Sequence, residues 1–329
     1  MTVAPADEGK APDPKPAPGE GSLTELHAGL GSPESAAALL APGIDLALLQ
    51  RVEDSSLNAS APPQQRWLDG WLVRYCPGKA KRARCINAVA PGVRTPQAKL
   101  AECEAVFQEA GLPLVVRITP FTQPAGLDAE LVRQGWPMFD DTRVMVLADL
   151  GGWTGEAGLT PQTGPADQAA QMTQMAETAD MAYMASPGLP SGWSETSEVA
   201  HDYARTVGAL RGSSLREIES HAQRLQWSPV PYTGLVWRDE AGQVQACGQF
   251  AREGDLVGLY DVFTAPAARG RGLSRALCAR LLQRARGEGA RTAYLQVDAA
   301  NAPARKVYTR LGFRDAYTYH YRSSEAGAH

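Results

Sequence analysis

The sequence predicts an α/β chain, of the mixed kind that grades into α+β, in which two domains each hold a mixed central sheet flanked by helices. Three observations predict it. Strand-like and helix-like runs alternate from Ile44 onward. A cluster of glycines (Gly151, Gly152, Gly155, Gly158) followed by Pro161 punctuates the middle of the chain. The order helix, strand, short helix, glycine–aromatic pair, strand occurs once on either side of that punctuation.

With 329 residues the chain exceeds the usual size of one core. Its 44% hydrophobic and 21% charged content is that of an ordinary globular protein. A net charge of −4 supplies no overall attraction to nucleic acid or to an anionic membrane. No apolar run is long enough to span a bilayer, and residues 1–21 carry Pro, Lys, Asp and Glu where a signal peptide is apolar, so the expected address is cytoplasmic. Cys76, Cys85, Cys103, Cys247 and Cys278 form no C-x-x-C pair and read as reduced thiols. No histidine pattern suggests a metal; His201, His221 and His320 read as surface or packing residues.

Residues 1–42, rich in Pro, Ala, Gly, Glu and Asp, are expected to form a disordered tail with at most a weak helix at 35–40. The first domain, 43–150, opens with a short helix through Leu46, Leu49 and Val52, then strands 65–75 and 80–90 around Pro77-Gly78. Leu100, Cys103, Val106, Phe107 and Ala110 share one side of a helix that Gly111 closes. Strand 112–119, a short helix marked by Leu127, Leu131 and Val132 that ends near Gly135, and strand 142–147 complete it. A linker is expected at 151–164.

The second domain, 165–323, starts with helices at 166–184 and 197–226 around a loop at 187–192. Strands 232–238 and 243–252 flank Asp239-Glu240-Ala241-Gly242, and the nearly continuous apolar run 256–264 suits a central strand. Leu273, Leu277, Cys278, Leu281, Leu282 and Ala285 form a helical stripe that Gly287 and Gly289 end. Strand 292–297, helix 302–311 and strand 315–322 follow, with a short tail at 324–329.

Set side by side, Leu131-Val132-Arg133-Gln134-Gly135-Trp136 corresponds to Tyr308-Thr309-Arg310-Leu311-Gly312-Phe313, and an internal duplication is expected. The first half has no glycine-spaced loop at Pro91-Gly92-Val93-Arg94-Thr95-Pro96, and Leu131 stands where the second has Tyr308. Its copy of the chemistry is therefore expected to be degenerate.

The chemistry gathers after strand 256–264, where Arg269-Gly270-Arg271-Gly272-Leu273-Ser274 opens a helix. A strand, glycine loop and helix start converge backbone N–H groups and the helix dipole on an anion, and a side chain at either glycine would hold a diphosphate away from those donors. A tight turn with solvated arginines is the competing reading. The loop lacks the third glycine of a dinucleotide fingerprint and the Gly-Lys-Ser/Thr of a P-loop.

This loop, with the segment Asn301-Ala302-Pro303-Ala304-Arg305-Lys306-Val307-Tyr308-Thr309-Arg310-Leu311-Gly312-Phe313, resembles the GNAT superfamily of N-acetyltransferases. The first matches that family's R/Q-x-x-G-x-G/A acetyl-CoA loop and the second its N-x-x-A-x-x-x-Y-x-x-x-G-F segment. Ser274 stands where the family most often has Gly or Ala, and serine is small enough for tight helix–strand packing. The likeness covers about 230–322 and less distinctively the region from 160; the whole chain is similar to tandem bacterial proteins of two GNAT-like domains.

The resemblance implies acetyl-CoA as donor, an amine acceptor and direct attack in a ternary complex. An alkylammonium with a pKa of about 10.4 must first lose a proton. The developing oxyanion needs a donor, in this family backbone N–H groups of the fourth strand, here Val262, Phe263 and Thr264. The leaving thiolate needs a proton, for which Tyr308 matches the family's tyrosine; its other reading is a core aromatic. Asp261, a carboxylate among apolar neighbours, reads either as the base or as a structural acceptor. Asn301 matches the family's pantetheine contact and also suits a helix N-cap.

The expected function is thus N-acetyl transfer from acetyl-CoA to a primary amine of a small molecule or protein, without metal, nucleic acid or membrane, by a monomer or homodimer. A non-catalytic acyl-CoA-binding module is the alternative.

Overall fold

The computed structural model describes residues 39–154 and 189–324. The expected helix at 166–184, most of the linker and most of both tails lie outside the described residues. Of the expected N-terminal tail, residues 39–42 are seated on the fold: Leu40 bridges Tyr317, and the Ala41 amide donates to the Ala316 carbonyl at 2.8 Å.

Helix α1 (Leu46–Ala59) is capped by Asp45, whose side chain accepts from the Ala47 amide. Strands β1 (Gln65–Leu68) and β2 (Trp71–Arg74) form a hairpin turned at Asp69-Gly70. The expected single strand over 65–75 is thus folded on itself, because Asp69 and Gly70 both hold positive φ, at 44° and 84°. Residues 76–83 cross back through a 3-10 turn at Lys81–Ala83, and β3 is short (Ile86–Ala88). Helix α2 (Pro96–Ala110) has proline in its first turn, a Thr95 cap and left-handed Gly111 at its end. Strand β4 (Val116–Ile118), helix α3 (Leu127–Arg133) and strand β5 (Met138–Leu147) follow.

After residue 189 comes an edge strand, β6 (Ser194–Glu198), whose polar sequence carries no apolar alternation. The expected helix over 197–226 is two helices, α4 (Ala200–Arg211) and α5 (Leu215–Gln226). Left-handed Gly212 ends the first, and a capping box between Ser214 and Glu217 starts the second. Gly208 lets the pair approach closely, since a Cβ there would stand 2.4 Å from the Ile218 side chain. Strands β7 (Tyr232–Arg238), β8 (Val244–Glu253) and β9 (Leu256–Thr264), helix α6 (Leu273–Gly287), strand β10 (Thr292–Asp298), helix α7 (Ala302–Arg310) and strand β11 (Arg314–Arg322) complete the described chain.

These strands form one sheet, ordered β1-β2-β3-β4-β11-β5-β10-β9-β8-β7-β6. Both halves repeat a parallel step, β3 on β4 and β9 on β10. The last strands are exchanged: β4 pairs with β11, β10 with β5, and β5 with β11 between them, all antiparallel. Thus β5, expected within the N-terminal domain, is flanked on both sides by strands of the C-terminal half.

Side chains fasten the exchange. Arg117 on β4 forms a buried ion pair with Glu53 of α1, and the Tyr317 hydroxyl donates to Glu53 Oε2 at 2.6 Å. Burial pushes the Glu53 carboxyl up, but the Arg117 guanidinium more than offsets this and holds it below its usual value. On the opposite side Asp128 of α3 accepts from Arg322 and contacts His320, both on β11.

Burial raises the Asp128 pKa, but hydrogen bonds from His320 and Arg322 and their charge win and bring it from 3.8 to about 2. A depressed carboxylate contributes stability above its unfolded pKa and loses it as pH falls through the folded one. Discounted for partial exposure, the shift corresponds to roughly 2 kcal/mol. Asp128→Asn should lower the urea-unfolding free energy by about that much near neutral pH, and the gap to wild type should close between pH 3.8 and about 2; a gap independent of pH would show that the pair contributes nothing through its charge.

Candidate active site

The site begins with a fault in β9. Register with β8 runs Ala246–Thr264 and Cys247–Phe263, then shifts to Gln249–Tyr260, so Asp261 and Val262 together oppose Gly248. Asp261 takes φ of 50°, the left-handed conformation that Asp tolerates better than most residues. Such a bulge bends the strand and strengthens its twist. Pairing between β9 and β10 accordingly stops at Leu259–Leu295, although β9 runs on to Thr264 and β10 to Asp298.

The separated ends enclose a cleft. Tyr260, Asp261 and Val262 face it from β9, Gln296 to Asp298 from β10, and Asn301, Ala304 and Tyr308 from the start and body of α7. Arg211, Arg224 and Arg82 also line it. A second cleft adjoins it through Asp261, Arg82, Arg211 and Arg224, and lies between residues 76–83 and the helices α4 and α5.

Phe263 lies under two guanidiniums, of Arg269 and Arg211, at 5.6 and 5.8 Å from its ring centre. The Thr264 carbonyl accepts from Arg269 Nε at 3.4 Å, and a 3-10 turn at Pro266–Ala268 carries the chain to the loop. Gly270 and Gly272 hold φ of 77° and 78°, which only glycine adopts without strain, and a Cβ at either would point into open space. Gly272 caps α6 and offers no side chain to accept from the first-turn amides. Arg271 lies over the Trp193 ring at 5.3 Å. An uncapped helix start beside two arginines fits the diphosphate of an acyl-CoA.

Asn301 caps α7, its Oδ1 accepting from the Ala304 amide at 3.2 Å, while also lining the cleft. Tyr308 is 8% exposed and meets Phe313 edge-on at 6.2 Å. Burial raises its pKa far above that of a free phenol, so it stays protonated at neutral pH. Nearby Cys278 is buried too, its thiol pushed up to about 12, which rules it out as a nucleophile at neutral pH.

Asp261 occupies the place expected of a base but has a low basicity. Its carboxylate accepts from Gln249 Nε2 at 2.6 Å and Arg211 Nη1 at 2.8 Å, and lies 3.2 Å from His221 Nε2. Burial raises its pKa, but His221, then Arg211 and Arg224, pull it well below the usual carboxylate range. The His221 contact is close enough for an ion pair but misaligned for a hydrogen bond, which leaves Nε2 without one.

Sequence reasoning did not find His221, Arg211, Arg224 or Arg82. The three from α4 and α5 belong to the polar surface pattern of ordinary helices, and only the fold brings them to Asp261. His201, which the same reasoning grouped with His221, is exposed.

Residues 199–313 match the sequence model of the acetyltransferase (GNAT) family, and this part of the chain is a GNAT domain. A GNAT fold supports acyl transfer from acetyl-CoA to an acceptor. Among solved structures, a GCN5-related N-acetyltransferase from Kribbella flavida shares the fold, at a TM-score of 0.52 and 18% identity over 87% of this chain and 98% of its own. A tandem GNAT protein from the clavulanic acid biosynthesis pathway, without AcCoA, is similar at a TM-score of 0.49 and 16% identity over 70% of each chain. A putative GNAT-family acetyltransferase from Novosphingobium aromaticivorans gives 0.43 and 16% over 82% of this chain and 96% of its own. No curated protein matches the sequence.

Asp261→Asn keeps a residue suited to left-handed backbone but removes the anion that Arg211 and His221 share. Leaving the partly exposed Arg211 without its anion should cost about 1 kcal/mol in chemical denaturation, while acetyl-CoA affinity, which depends on the distant loop, should stay within about twofold; an undiminished stability would remove the charge cluster as the reason for the bulge.

Proposed function

We propose that the protein is an N-acetyltransferase that moves the acetyl group of acetyl-CoA directly to a primary amine. The observation that carries this reading is the parting of β9 from β10 beyond Leu259 and Leu295, beside an uncapped helix start with two left-handed glycines. The Ala265 amide donates to Gln245 of β8, so by strand alternation the Phe263 amide faces β8 too, while those of Val262 and Thr264 turn to the opening and can receive an acyl oxygen. Arg269, Gly270, Arg271, Gly272, Leu273 and Ser274 hold the diphosphate, and Asn301 stands beside the pantetheine arm.

Three residues share the proton work. His221, which lines the acceptor cleft, takes the proton of the acceptor amine through the ring nitrogen turned away from Asp261. Asp261 positions His221 and stabilises its imidazolium, while Arg211 and Gln249 hold Asp261 in place. Tyr308, kept protonated by burial, gives its proton to the departing thiolate. The amine nitrogen gains the carbon–nitrogen bond as the carbon–sulfur bond breaks, so the two proton transfers balance.

The N-terminal half reads as a degenerate copy of the same unit, without a glycine loop at 91–96 and with Leu131 in the place of Tyr308. On this reading the domains are 43–150 and 165–323, and the first contributes residues 76–83 as a wall of the acceptor cleft. A cytoplasmic monomer or homodimer belongs to the same reading. Among the described residues no helix is long and apolar enough to cross a membrane, and no group of acidic, histidine or cysteine side chains could hold a metal ion.

Calorimetric titration should show micromolar acetyl-CoA binding that Gly272→Glu abolishes; absence of binding by the wild type would reduce the family likeness to one of fold. With an amine substrate in hand, Tyr308→Phe should lower kcat by about 100-fold at an unchanged KM for acetyl-CoA. His221→Asn should lower kcat by about 100-fold at an unchanged KM for acetyl-CoA, and an undiminished kcat would move the base to a water chain.

A further inference from the structure

The acceptor side of the cleft holds more positive charge than the chain neutralises. Arg82, Arg211, Arg224 and His221 face it, together with Lys79. Of the carboxylates there, Glu217 lies 3.5 Å from Lys79 and accepts the Ser214 amide, and Asp261 is already engaged by Arg211, His221 and Gln249. Arg82 and Arg224 are left over.

Arg224 is 9% exposed and forms no ion pair with a carboxylate among the described residues; its near neighbours are the Tyr232 hydroxyl and, at longer range, Asp261. Arg82 is half-buried, but its Nη1 is fully buried and has no hydrogen-bond partner. Both line the two adjoining clefts that meet at Asp261. A guanidinium removed from water without an anion is costly, and its planar fork matches a carboxylate or a phosphate.

We propose, building on the acetyltransferase reading, that the acceptor is an amine that also bears an anionic group, a carboxylate or phosphate, which Arg82 and Arg224 bind from the two halves of the chain. The same positive field serves the chemistry. It disfavours an ammonium at the cleft and so raises the fraction of neutral, attacking amine. Simple alkylamines and polyamines, which bring only positive charge, meet repulsion without the compensating anion.

The test uses the full chain saturated with CoA, so that the diphosphate loop is already filled. Inorganic phosphate and acetate are titrated calorimetrically into wild type, Arg82→Gln and Arg224→Gln. Acceptor turnover is then compared in matched pairs with saturating acetyl-CoA in place of CoA, an amino acid against its amide and an amino sugar phosphate against the amino sugar. The expected result is at least tenfold higher kcat/KM for the anionic member of one pair, with the pair naming carboxylate or phosphate, and loss of the matching anion's binding in both variants while CoA binding persists. Equal use of charged and uncharged members, or anion binding unchanged by both substitutions, would overturn the proposal. Failure of CoA to bind would instead overturn the acetyltransferase reading beneath it.

Discussion

The exchange of the last strands is the constraint on which the rest of the structure rests. Strand β5 lies between β10 and β11, and β4 takes the far side of β11. Every backbone donor and acceptor inside a sheet needs a partner, so neither half can close its own sheet without leaving strands unpaired. Further bonds cross the join from α1: Ser55 to the Tyr294 hydroxyl at 3.1 Å, Gln296 to Ser56 at 2.7 Å, and Asn58 to Glu253 at 2.9 Å. The two halves therefore fold as one body, whatever their ancestry.

That union reaches the site. Residues 76–83 are held against α5, where Cys76 Sγ lies 3.1 Å from Ser220 Oγ, and this contact carries Arg82 to the cleft lining. The bulge at Asp261 acts from the other side. It parts β9 from β10, and the charge cluster of Arg211, His221 and Gln249 around the carboxylate holds a backbone conformation that an unpaired residue would leave. The same local irregularity that opens the sheet turns the Asp261 carboxylate to the histidine that α5 brings.

Much of the secondary structure could be read directly. The strand over 256–264, the helix after Gly272 and the end of that helix follow from apolar spacing and glycine placement alone. Two misreadings had visible signals: Asp69-Gly70 is a hairpin turn inside the expected strand, and Gly212-Ser213 before the Ser214–Glu217 box breaks the expected helix. Strand β6 had none. Its Ser-Glu-Thr-Ser-Glu sequence becomes a strand only because β7 offers an edge to pair with, and Glu195 and Glu198 find Trp237 and Arg238 there.

The sequence by itself determined what depends on neighbours in the chain: the glycine loop before α6, the capping asparagine at 301, the tyrosine one turn before Gly312, and the resemblance they carry. Only the tertiary structure decided which half each final strand would join, that Asp261 would sit in the left-handed region with a low pKa, and that His221, Arg224 and Arg82 would meet around it. The reason is physical: helix periodicity and turn geometry are set by residues a few positions apart, whereas strand exchange and the charge of a cleft are set by pairing and packing between segments distant in the chain, for which the local pattern holds no signal.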